Sequence, residues 1–373
     1  MRSLSLVSLF LLVLQPALAQ KTIQITSPDG SLQYAFKLKN RTASYSVSFK
    51  KQPIIANATL SLTFAGNSEF KNDLTITGTV FREAAEQYEL IVGKAKKVNH
   101  PFREVTIKLK EATKPFRNIH LVVRTFNDGL AFRYEFPQQE NWSSYALTDE
   151  GSTFRFVDDP SVLTLFLPNF TTSHEGEYSS LLLSEVKEDS LMDMPTLFQL
   201  HGPTYLAITE AALVDYAGMY LIKHNGVLKS QLSPLPGQDG IKVKADLPHH
   251  SPWRVLMISD RIGALIESNI LTSLNEPCKI KDISWIKTGK TTFPWWNGSI
   301  IPDTSFAPGN NFENNKYYID FCARNGLEFH SVVESNGHEW YTNDGQDYQP
   351  GHNADVTRPV AGIDMQQICD YAK

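Results

Sequence analysis

A change of texture near residue 280 constrains this chain more than any single motif. From Thr22 to about Ile258, apolar and polar residues alternate with period two. Leu32, Tyr34, Phe36 and Leu38 alternate with Gln33, Ala35 and Lys37; Val105, Ile107 and Leu109 with Thr106 and Lys108; and Leu130, Phe132, Tyr134 and Phe136 with Ala131, Arg133 and Glu135. Such alternation predicts half-buried antiparallel strands. Ser27-Pro28-Asp29-Gly30 and Asn127-Asp128-Gly129 punctuate them as tight turns, in which Gly is expected to supply positive φ. Strands this numerous exceed one small barrel and predict a large sandwich of packed sheets.

After Leu274-Asn275-Glu276-Pro277 the pattern becomes strand, helix, strand, helix. Thr292 to Trp296 reads as a short apolar strand. Phe312 to Arg324 reads as a helix with Tyr318, Phe321 and Cys322 inward, stopped by Asn325-Gly326. Phe329 to Val333 reads as a second strand. Asp364, three residues before Gln367, caps a helix with Met365, Ile368, Cys369 and Ala372 on one face. This order opens a parallel sheet or a (β/α)₈ barrel, but a whole barrel takes roughly 250 residues and only about 90 follow Ile280. The predicted fold is therefore mainly β: a large N-terminal sandwich over residues 20–278, followed over 279–373 by the first strands and helices of an incomplete (β/α)₈ barrel.

Residues 1–19 read as a secretory signal peptide. Met1-Arg2 is a basic start, Leu4 to Leu14 an apolar run, and Ala17-Leu18-Ala19 a small-residue cleavage signal. The expected location is secreted or periplasmic, and no later run approaches the length of a membrane span. The 35 basic and 40 acidic residues form no long block of either sign, which argues against nucleic acid and a polybasic membrane role and favours a neutral partner. Cys278, Cys322 and Cys369 show no zinc spacing and are expected to be small buried hydrophobes.

Several motifs fail. Gly289-Lys290-Thr291 lacks the leading glycine and the following helix of a phosphate loop, and His174-Glu175 and His338-Glu339 lack the second histidine of a zinc-protease helix. The polar stretch Pro168 to Tyr178 is more informative, because it sets Glu175 and Glu177 on a long loop between strands. Carboxylates are hard ligands suited to Ca²⁺, which takes six to eight oxygens, so one loop cannot complete a site. Glu210 ends an apolar strand and is expected to hydrogen-bond a neighbouring loop. Asn310, Asn314, Asn315 and Asp320 read as caps and solvated helix face. Trp295-Trp296 and Glu334 close the two α/β strands, and Trp340-Tyr341 follows. Aromatic faces at the carboxyl ends of parallel strands make a plausible sugar platform.

At these residues the chain resembles the N-terminal half of a glycoside hydrolase family 97 enzyme, a group of exported bacterial α-glucosidases and α-galactosidases. The matching stretches run in order: Ser27 to Gly30, Phe126-Asn127-Asp128-Gly129-Leu130-Ala131-Phe132-Arg133-Tyr134, Ile208-Thr209-Glu210-Ala211-Ala212-Leu213-Val214-Asp215-Tyr216, Ser251-Pro252-Trp253-Arg254, Leu274 to Cys278, and Trp285-Ile286-Lys287. The resemblance implies an N-terminal β-super-sandwich feeding a catalytic (β/α)₈ barrel, with a calcium cofactor and an oligosaccharide or α-glycoside substrate. It implies that a sandwich loop delivers a calcium-binding glutamate, matched best by Glu175 and next by Glu177. It also implies that Met194-Pro195-Thr196 lines the substrate pocket. Candidate substrate contacts are thus Pro195, Thr196, Trp296, Glu334 and Trp340. No catalytic carboxylate is assigned, since in the family those residues lie on later barrel strands. The competing reading is a non-catalytic carbohydrate-binding sandwich, and the oligomeric state is left open.

Overall fold

The computed structural model describes residues 21–238, 240–332, 339–345 and 350–373. The expected signal peptide and Glu334 lie outside the described residues. The chain divides into two compact units, one reaching Lys279 and the other spanning Ile280–Lys373.

In the first unit the alternating segments form antiparallel sheets, the largest of ten strands. Strand Gly129–Phe136 sits near its middle, between Asn118–Phe126 and Trp253–Ser259. Its Leu130, Phe132, Tyr134 and Phe136 enter the main core, where Tyr34 and Tyr45 stack at 5.3 Å and Phe132 tilts against Tyr45 at 5.5 Å. Half-burial was expected, yet Ala131 is enclosed too. A second core covers the sheet's other face with Phe102, Phe126, Trp253, Val255 and Met257 under the short helices Ile262–Glu267 and Ile270–Ser273. Strand Trp253–Ser259 is accordingly apolar almost throughout: Leu256 and Ile258 face one core, Val255 and Met257 the other. Fully burying each such side chain is worth about 1.5–3 kcal/mol.

The two glycine turns work differently. Gly30 has φ +74°, as expected of a left-handed turn position. Gly129 already lies in its strand, and what it supplies is the missing Cβ, which would stand 2.5 Å from the Leu256 carbonyl oxygen. Asp128 of that turn accepts from Ser268 Oγ at 2.6 Å and pairs with His100 Nε2 at 2.9 Å, tying the ribbon to the helices.

In the second unit Thr291–Thr292 pairs in parallel with Phe329–His330, and helix Phe312–Asn325 makes the crossover. Parallel neighbours need such a connection. Asn311 caps the helix by accepting from Asn314 N, and Gly326 ends it at φ +66°. Asp364 caps Met365–Ala372 by accepting from Gln367 N at 3.0 Å, as its spacing predicted. The first strand is shorter than expected. Pro294, which offers no amide hydrogen to a ladder, opens a 3₁₀ turn Pro294–Asn297 that carries both tryptophans. The second strand stops at His330 among the described residues, and Val333 lies outside them. Phe321 is partly exposed, and of the three cysteines only Cys322 is buried, while Cys278 and Cys369 are exposed.

Candidate functional site

The loop carrying Glu175 and Glu177 begins where strand Phe166–Leu167 ends, paired with Leu191–Met192. Asn169 opens it with an Asx turn, its Oδ1 accepting from Thr171 N at 2.8 Å and Thr171 Oγ1 at 2.9 Å. Phe170 then sets its ring edge-on to Tyr220 at 5.2 Å. The chain doubles back at His174, which takes φ +57°, lays its ring along Tyr220 at 6.0 Å and pairs Nδ1 with Asp193 Oδ2 at 2.9 Å. A Cβ at position 176 would stand 2.9 Å from Leu165 Cδ1, so Gly176 lets the loop pass close over the strand pair. Glu175 and Glu177 flank that glycine, both exposed.

Asp193 fastens a second loop at the same place. Its Oδ1 accepts from Met194 N at 2.8 Å, and its carbonyl accepts from Thr196 Oγ1 at 2.6 Å. The Met194–Pro195 bond is cis. Thr196 is fully buried, with Thr164 Oγ1 at 3.4 Å, so its side chain holds the turn from behind while Pro195 is exposed. The structure thus brings Glu175, Glu177 and Pro195 to one end of the sandwich. Asp193 and Tyr220, which join the loops, were missed because nothing in the spacing links positions 174, 193 and 220. Only the strand pairing does.

Behind this end lies a buried charge triad. Arg254, fully enclosed, donates from Nε and Nη2 to the two oxygens of Glu150 at 2.8 and 2.6 Å, and from Nη1 to Glu210 Oε2 at 2.7 Å. Glu210 Oε1 accepts from Met219 N at 3.1 Å, which pins the start of strand Met219–His224 one residue before Tyr220. Glu210 was expected to hydrogen-bond a neighbouring loop; it accepts instead from two strand residues, Met219 and Arg254. Burial lifts the Glu210 carboxyl above its ordinary range, against the pull of Arg254 and the Met219 amide. Burial, then the nearby Asp193 and Glu210 carboxylates, raises the Tyr220 phenol and keeps it neutral.

The second unit places Trp296 on its 3₁₀ turn, 82% exposed, and Trp340 edge-on to Tyr341 at 5.5 Å. Beside the parallel strand ends is a polar cluster that replaces the solvated helix face expected at Asn314 and Asn315, which are both buried. Asn315 Nδ2 donates to Asn311 O at 2.8 Å and to Asn310 Oδ1 at 3.0 Å, so its Oδ1 faces His330 Nε2 at 2.8 Å. Nε2 must therefore carry the hydrogen, and Nδ1 accepts from Thr292 Oγ1 at 2.7 Å. Burial depresses the imidazole to about 4 and keeps it neutral. Asn314 Nδ2 donates to Ser299 O at 3.0 Å and Gly309 O at 2.9 Å, pinning both ends of the segment that follows the tryptophans.

Among the described residues, no three His, Cys, Asp or Glu side chains gather as a metal cage. The Glu175–Glu177 loop still suits calcium as a partial donor set, because it offers two exposed carboxylates on a backbone tied down by His174 and Asn169.

Comparison with known proteins agrees with this architecture. The family described as Glycosyl-hydrolase 97 N-terminal matches residues 25–277, and Glycoside hydrolase 97 matches residues 295–373. A retaining alpha-galactosidase of Bacteroides thetaiotaomicron is 25% identical over 402 residues, a match that takes in 100% of this chain and 57% of that protein. A probable retaining alpha-galactosidase of Streptomyces bingchenggensis is also 25% identical, across 90% of this chain and 50% of its own. A Glycoside Hydrolase Family 97 enzyme from Pseudoalteromonas sp. strain K8, solved in complex with panose, superposes with TM-score 0.83 at 28% identity, covering 94% of this chain and 52% of that one. The same is true of that enzyme in complex with acarbose, at 27% identity. The chain spans about half the length of the curated relatives it matches. It belongs to glycoside hydrolase family 97.

Proposed function

We propose that this chain is the substrate-framing part of an exported, calcium-dependent exo-acting α-glycosidase that removes terminal α-galactosyl or α-glucosyl units. The observation that carries the reading is the fastened loop: the residues leading into it, Asn169 and His174, are held while Glu175 and Glu177 are exposed. Relatives named as retaining alpha-galactosidases, and a family enzyme solved with panose and with acarbose, support the substrate class.

In this reading Glu175, with Glu177 beside it, contributes carboxylate oxygens to calcium. Bound calcium supplies positive charge that orients substrate and carboxylates. His174, Asp193 and Tyr220 hold the loop in place, Pro195 lines the sugar pocket, and Trp296 and Trp340 offer ring faces to pyranose. The second unit is the opening of a (β/α)₈ barrel whose later strands carry the acid and its partner carboxylate. Retention requires those two carboxyl groups about 5–5.5 Å apart, and no residue of this chain is assigned to either.

The test is hydrolysis of p-nitrophenyl α-galactoside and α-glucoside by two proteins, the 373-residue chain and the product of its gene read past the Lys373 codon. The shorter protein is expected to be inactive; the longer should turn over one of the two and lose activity on chelation. Turnover by the shorter protein would refute the placement of the chemistry, and an inactive longer protein would sink the enzyme reading in favour of the binding sandwich.

A further inference from the structure

At the far end of strand Met219–His224 a second concavity, about 590 Å³, opens between the hairpin turn at Asn225-Gly226 and the short turn Leu183–Glu185. That volume lies within the roughly 300–1,000 Å³ usual for small-molecule sites. Phe154, fully buried, and the half-buried Phe156, whose ring packs on Phe198 at 4.8 Å, form its apolar lining. Ser184 is fixed in the opposite wall by Asp159, which accepts from its amide at 2.8 Å and its hydroxyl at 2.6 Å.

Lys223 is the decisive residue. It points to the inner face of its strand, is only 8% exposed, and donates one hydrogen bond, from Nζ to Ser184 O at 2.7 Å, with Glu188 farther off at 3.8 Å. An ammonium has three N–H donors, so beside the Ser184 carbonyl and the Glu188 ion pair Lys223 keeps donor capacity that it can offer to a ligand in the cavity. Around it the side chains of Arg155, Asp158 and Asn225 have no hydrogen bond or ion pair among the described residues.

The charges lining the cavity cancel, Arg155 and Lys223 against Asp158 and Asp159. That balance disfavours a strongly ionic ligand. Donors from Lys223 and Arg155, an acceptor at Asp158, both at Asn225, and the half-buried ring of Phe156 suit a neutral molecule with many hydroxyls and one apolar face. The cavity is also separate from the glutamate loop: Tyr220, which seats that loop, lies three residues earlier on the same strand, about 10 Å away, and on the opposite face.

We propose that this cavity is a second, non-catalytic binding site for a neutral oligosaccharide. The proposal rests on the glycosidase reading only for its choice of sugars. Calorimetric titration of the 373-residue chain with maltotriose, melibiose and inorganic phosphate tests it. One of the two sugars should bind saturably at one site, and Arg155→Ala and Asp158→Ala should each weaken it about ten-fold, the loss expected for one hydrogen bond to a charged group. Glu175→Gln and Trp296→Ala should leave binding unchanged. All four positions are exposed, so each variant is expected to fold, and circular dichroism is the check on that. Overturning results are binding of neither sugar, binding indifferent to Arg155 and Asp158, binding lost with Trp296→Ala, or saturation by phosphate instead. The two readings fail separately, because sugar binding here does not depend on turnover by the longer gene product.

Discussion

At the scale of single residues, the buried triad makes the sharpest energetic demand. Arg254 satisfies two carboxylates at once, Glu150 through two hydrogen bonds and Glu210 through one. Arg254→Met would leave both acids buried without their cation, a loss of about 3–5 kcal/mol by analogy with other broken buried pairs. Glu210→Gln should cost less, about 1–2 kcal/mol, because the amide oxygen still accepts from Met219 N and Arg254 keeps Glu150. Urea unfolding of the three proteins checks the order, and equal losses would show that Glu210, not Glu150, holds the arginine. His330 gives a pH signature. Its folded value of about 4 lies below the ordinary 6.5, so the stability it contributes is complete above about pH 6.5 and is lost as pH falls toward 4. Four of the six tryptophans, Trp285, Trp295, Trp296 and Trp340, belong to the second unit and report its melting. Between pH 7 and 4.5 their fluorescence-detected Tm should drop less in His330→Gln than in the unsubstituted chain, and an equal drop would exclude the histidine as the cause.

At the scale of elements, the glutamate loop is held by a few polar contacts and by Phe170, which packs against a small cluster of Leu165, Leu167, Leu191 and Ile222. His174→Ala removes the pairing with Asp193 and the stacking on Tyr220, both near the surface. Global stability should therefore change by only about 0–1 kcal/mol. Amide exchange across residues 171–178 should nevertheless quicken, since local opening needs far less free energy than unfolding. Unchanged protection would mean that Phe170 alone seats the loop. This element also marks how far sequence reading reaches. The alternating strands, the Asp364 cap and the Gly326 stop were legible because each depends on neighbours a few residues away. The loop's polar excursion was legible for the same reason, but its anchor was not, because Asp193 and Tyr220 reach His174 only through strand pairing. The burial of residues 253–258 on both faces and the enclosure of Asn314 and Asn315 were hidden likewise: period two shows which face is apolar, not how many faces are covered.

At the scale of the whole molecule, the two units differ in how completely they satisfy themselves. The first encloses a core running from Ile23 to Ile258 and a second core beneath its own short helices. In the second, the parallel pair is two residues a side, and Phe293, Trp296, Ile300 and Phe329 remain exposed. Two residues of parallel ladder bring few hydrogen bonds and little burial, whereas about 260 residues of packed sheet suffice for cooperative folding. A protein comprising residues 21–279 should accordingly fold alone and unfold in urea in a single transition, with the same midpoint seen by far-ultraviolet circular dichroism and by the fluorescence of Trp142 and Trp253. Trp253 lies wholly within the second core, so its emission reports packing of the helical cover as well as the sheet. Non-coincident transitions, or strong dye binding to exposed apolar surface before denaturant is added, would show that the sandwich depends on residues beyond Lys279 for its integrity.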